Sequence, residues 1–127
     1  MKPVHQKTRT SCMQACVASI LELPLSAVPF IDPDAETPYS FMGKWREFVR
    51  HYGYDLLFIS KSAPGFETEF HPRGYSIGIG EAKNGEDHAV ILLDCNAVHD
   101  PYLGGEPLKE IKGHIYFVAM NPKGLLK

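Results

Sequence analysis

The chain has 127 residues, 44% hydrophobic and 22% charged, with a net charge of -2. That length fits one domain over residues 1–127, with enough core to fold without disulfide staples. Lys and Arg are scattered without a run, which gives no electrostatic footprint for nucleic acid, and no stretch is long enough to span a bilayer.

The first residues, Met1-Lys2-Pro3-Val4-His5-Gln6, lack the apolar core of an export signal, so a cytoplasmic location is expected. The three cysteines are Cys12, Cys16 and Cys95. An odd count without an export signal argues against a disulfide framework and leaves room for a reactive thiol.

In chain order, residues 1–10 are polar and read as extended. A helix is expected from Ser11, which can serve as the N-cap, with Gln14 three residues on completing a capping-box pattern. Ala15, Cys16, Ala18, Ser19, Ile20, Leu21 and Leu23 then form one broad apolar face, and Pro24 ends the helix. Because it is apolar on most sides, this helix should be a central one. Residues 24–38 hold Pro24, Pro29, Pro33 and Pro38 and read as an irregular connection.

A second helix is predicted over residues 39–52 from the spacing of Phe41, Trp45, Phe48, Val49 and Tyr52, with Gly53 as its stop. Residues 62–73 read as a loop. Strands are predicted over residues 54–60, 74–79, 87–94, 97–100 and 113–120, with a turn at Cys95-Asn96. Helices first and antiparallel strands after make an α+β fold.

Four side chains then stand in an order that serves acyl transfer. Cys12 opens the first helix, where the partial positive charge of the helix start favours a thiolate and the free N–H groups can receive an oxyanion. His88 opens the strand after the polar 84–87 turn and is the candidate base. Asp100 follows His88 by twelve positions. A hairpin of that size returns it toward the imidazole, where a carboxylate would fix the tautomer and stabilise imidazolium. Gln6 precedes the cysteine and offers a side-chain amide as a second oxyanion donor. Each has a plainer reading: a buried cysteine, a surface histidine, an Asp-Pro turn, a solvated glutamine. Their order along the chain carries the functional one. Cys12, Cys16, Cys95 and His99 as zinc ligands are a lesser alternative, since structural zinc ligands come from tight knuckles rather than an apolar helix face.

The two blocks Gln6-Lys7-Thr8-Arg9-Thr10-Ser11-Cys12-Met13-Gln14-Ala15-Cys16-Val17-Ala18-Ser19-Ile20-Leu21 and His88-Ala89-Val90 with His99-Asp100-Pro101-Tyr102 and Gly104-Gly105 resemble the papain-like cysteine peptidase superfamily. The likeness is to the bacteriocin-processing, double-glycine leader peptidase-like family in stand-alone form. It implies a central helix carrying the cysteine, packed on an antiparallel sheet carrying the histidine and aspartate. It also implies Cys12 as nucleophile, His88 as general base and acid, Asp100 as its orienter and Gln6 as oxyanion donor. The implied activity is a cysteine hydrolase cleaving an amide, peptide or isopeptide bond of a peptide or protein through an acyl-enzyme, with no cofactor. An acyltransferase would use the same residues. Where that family often has Asp-Cys-Gly, this chain has Ser11-Cys12-Met13, which motivates the alternative of a catalytically inactive binding module.

Overall fold

In the computed structural model, described over residues 1–62, 73–83, 85–102 and 108–120, two α-helices pack on a five-stranded antiparallel sheet. Helix α1 is Cys12–Leu21 and α2 is Pro38–Arg50. The strands are β1 Tyr54–Ser60, β2 Tyr75–Glu81, β3 Asp87–Leu93, β4 Asn96–His99 and β5 Glu110–Ala119, in the sheet order β1-β5-β2-β3-β4. The α+β expectation therefore holds at the level of helices on an antiparallel sheet. Nearly all of the predicted loop over residues 62–73 lies outside the described residues, as do Asn84 and Gly104-Gly105.

Helix α1 has no charged residue, and Met13 and Ala15 through Ser19 are buried. It packs on β3, where Ala89 and Ile91 enter the same core as Cys16 and Val17. Each fully buried aliphatic side chain of this kind stabilises the fold by roughly 1.5–3 kcal/mol.

The helix starts after Ser11 as expected, but the contacts at its two ends differ from the expectation. Ser11 precedes the helix but makes no side-chain cap; its hydroxyl accepts from Thr8 N and donates to Thr8 O, at 3.0 Å each, closing the turn before the helix instead. Gln14 does not reach back either, because its amide donates to Val28 O at 2.8 Å and holds the following connection against the helix. At the other end the helix stops at Leu21, before the proline, with Glu22 in the left-handed region at φ 57° and its N–H on Ala18 O and Ser19 O.

Helix α2 is capped by Thr37, whose hydroxyl accepts from Ser40 N at 3.1 Å, and it buries Trp45 and Val49 completely. It is tied to β1 by Asp55, which takes Arg46 at 2.8 and 2.9 Å and Arg50 at 3.3 Å. The Arg46 hydrogen bond, with help from Leu56 N–H and Arg50, outweighs burial and holds the Asp55 carboxyl well below the ordinary carboxylate range.

Two irregularities in the sheet matter for the site. The β3–β4 hairpin turns on Asp94 and Cys95, at φ 49° and 68°, so the turn sits one residue earlier than expected and Asn96 belongs to the strand. Further along, Leu92 pairs with Ala97 but Ile91 pairs with His99, so Val98 is an extra residue in β4.

The second irregularity lies between β2 and β5. Ile79 pairs with Gly113 and Gly80 with Ile111, leaving Lys112 extra. A Cβ on Gly80 would stand 1.8 Å from the carbonyl oxygen of Glu110, which is backbone and has little room to yield. Gly80→Ala is expected to destabilise the protein by roughly 3 kcal/mol in urea unfolding. A loss below about 0.5 kcal/mol would mean that β5 does not approach β2 this closely.

Candidate active site

The segment before α1 is held between the helix and the end of β4. Val4 N donates to Ser19 Oγ at 2.8 Å, His99 Nε2 contacts Val4 O at 2.8 Å, and Gln6 N donates to Pro101 O at 2.8 Å. Arg9 forms an ion pair with Glu86 just before β3. These ties bring the start of α1, the start of β3 and the chain after β4 to one place.

His88 and Asp100 meet there. His88 Nε2 lies 2.7 Å from Asp100 Oδ1, with the two side chains 12% and 25% exposed. The Val98 bulge explains the meeting. Without it, the β3–β4 register would continue from Leu92 opposite Ala97 to put Asp100 opposite Ala89, on the other face from His88. With it, Asp100 follows on opposite Val90, in the phase of His88 and one diagonal step away.

The Asp-Pro turn is real as well. Asp100 Oδ1 also accepts from Tyr102 N at 2.9 Å, so the turn fixes the carboxylate that the imidazole contacts.

The Cys12 side chain lies near enough to the imidazole to act on its charge. With Nε2 on Asp100, the ring nitrogen left for the sulfur is Nδ1. Burial alone would favour neutral imidazole, but the hydrogen bonds to Cys12 and Asp100, with the charge of both, outweigh it and push His88 up to about 9. The ring is therefore cationic at neutral pH, between a sulfur and a carboxylate.

Cys16, one turn further along α1, is fully buried, and burial first, then the nearby Cys12 and Asp100 charges, raise its thiol well above the ordinary range. Cys95 stands apart, with its sulfur 3.8 Å from the Tyr116 hydroxyl. Among the described residues, no three His, Cys, Asp or Glu side chains are grouped to hold a metal ion.

Gln6 is close to this group but is used differently from the expectation. Its Nε2 donates to Thr8 O at 2.8 Å and Arg9 O at 3.3 Å, which engages both amide protons in the turn before α1. Gln6 Oε1 and Asp100 Oδ2 are buried with no hydrogen-bond partner among the described residues. Met13 belongs to the core rather than the surface, 4% exposed and in the stripe of Val17. That i, i+4 relation to Val17 was the signal available in the sequence for its inward direction.

The arrangement can do three chemical things. It sets a sulfur near an imidazole, holds that imidazole with a carboxylate, and places the sulfur at a helix start with its free N–H groups. No helix among the described residues is long and apolar enough to cross a membrane. Comparisons with family models, characterised proteins and solved structures return no match for this chain.

Proposed function

We propose that this protein is a cysteine hydrolase that cleaves an amide or peptide bond through a thioester on Cys12. The observation that carries the reading is the His88 imidazole held on Asp100 at 2.7 Å, with the Cys12 side chain near enough to raise the ring's pKa as well. A cysteine on a buried helix, set on an antiparallel sheet that supplies histidine and aspartate, is also the papain-like arrangement that the sequence resembles.

The steps follow from the charges. Cys12 attacks the substrate carbonyl carbon through its thiolate, the nucleophilic form of a thiol. The oxyanion forms beside the start of α1, where the Cys12 backbone N–H is a donor. The C–N bond breaks as His88 passes its proton to the leaving amine, and the acyl group remains on sulfur. Neutral His88 then takes a proton from water, whose oxygen attacks the thioester, and sulfur leaves as thiolate. Asp100 holds the ring in one tautomer and offsets its positive charge throughout. Gln6 contributes an oxyanion donor by giving up its longer contact, the 3.3 Å bond to Arg9 O.

The test uses p-nitrophenyl acetate and intact-protein mass spectrometry. The expected result is an acetyl thioester on Cys12 that forms and hydrolyses repeatedly, and that is missing in Cys12→Ala. Acetyl groups found only on lysines, or a Cys12 adduct that never turns over, would sink the hydrolase reading.

A further inference from the structure

A cavity of about 530 Å³ opens on the side of α1 where Ser11 and Gln14 lie, next to the nucleophile in the chain. Its opposite wall is the connection after the helix, with Leu25, Phe30, Asp32 and Asp34. Phe30 is 49% exposed there, so its ring is open to a ligand in the cavity. The connection is held in position by the Gln14 amide on Val28 O at 2.8 Å.

The cavity has an electrical direction. Lys7 and the positive end of α1 lie on the helix wall, and the two carboxylates lie on the wall of Phe30. An aliphatic stem ending in a cation matches the second wall along its length. The stem covers Leu25 and Phe30, the cation meets the ring face and the carboxylates, and Lys7 repels it from the other end.

Resting on the hydrolase reading, we infer that this cavity selects peptides with an arginine or lysine side chain close to the reacting carbonyl, on its acyl side. The aromatic ring and carboxylates reward the basic side chain, while an acidic one meets Asp32 and Asp34. Neither aspartate belongs to the Cys12, His88 and Asp100 group, so their replacement leaves the chemistry in place.

The probes are short peptidyl chloromethyl ketones with Arg, Gln or Glu one or two residues before the ketone. Inactivation by the Arg reagent is expected to run on the order of tenfold faster than by the Glu reagent at low salt, with the gap narrowing as salt is raised. The Asp32→Asn, Asp34→Asn double variant should lose most of that gap, and its Cys12 should react with uncharged iodoacetamide at the unchanged rate. Equal Arg and Glu rates, with Cys12 still alkylated rapidly by iodoacetamide, would overturn this inference and leave the nucleophile standing. A Cys12 no more reactive than Cys95 toward iodoacetamide would remove the hydrolase reading beneath it.

Discussion

His88→Ala is expected to lower turnover of an activated ester by roughly 10²–10⁴-fold, the range that a positioned proton-transfer group supplies. The loss should fall on both half-reactions. Without the imidazolium, Cys12 loses the cation that favours thiolate, and without neutral imidazole the thioester has no base to activate water. Rapid-quench measurement of acylation and deacylation separates the two. His88 is the second residue of β3, at the strand's end rather than its centre, so removing its ring should leave the sheet formed, which circular dichroism checks. A variant that keeps turnover within a few-fold of the parent would remove His88 from the mechanism.

Asp100→Asn is expected to move the alkaline limit of activity. The active form pairs a thiolate with imidazolium, so the rate should fall as pH rises through the His88 value of about 9. Asparagine removes the charge and weakens the bond to Nε2, which takes away part of what raises the ring, while the Cys12 contribution remains. The limb should therefore shift part of the way toward the ordinary imidazole value of about 6.5.

Stability follows the same sign. A group whose folded value is raised stabilises the fold fully below its unfolded value, and that contribution is lost as pH rises through the folded one. For His88 the loss spans about 6.5 to about 9, and Asp100→Asn should shorten that window from its upper end. An alkaline limb that stays near 9 in the variant would show that the Asp100 contact does not support the imidazolium.

Much of this arrangement could be read in the chain because it depends on local pattern. The apolar run from Ala15 onward favours a buried helix, and the short β-prone run from Ala89 to Leu93 favours a buried strand, so Cys12 and His88 fall at the starts of two packed elements. The meeting of His88 with Asp100 was legible only as a hairpin of suitable length. Its cause is Val98, an extra residue that inverts the phase of everything after it, and nothing in Asn96-Ala97-Val98-His99 distinguishes a bulge from a regular strand.

At the start of α1 the boundary is legible, but the side-chain contacts are not. Ser11 fits an N-cap by type, but its hydroxyl bonds to Thr8 instead, a competition between local partners that composition does not resolve. Gln6 has the chemistry of an oxyanion donor, but that its amide rests on the carbonyls of Thr8 and Arg9 could not be read from its type. The cavity wall at Phe30, Asp32 and Asp34 lies in the proline-rich connection, whose path is set by the Gln14 contacts rather than by any periodicity.

The central claim is that one of the three cysteines is made nucleophilic by the imidazole beside it. The most direct measurement is the rate of iodoacetamide alkylation of each cysteine in the folded protein at pH 6.5, by peptide mass spectrometry. Cys12 is expected to react on the order of tenfold or more faster than Cys95, with buried Cys16 unreactive, and to lose that advantage in His88→Ala. Alkylation of Cys12 no faster than that of Cys95 would contradict the account.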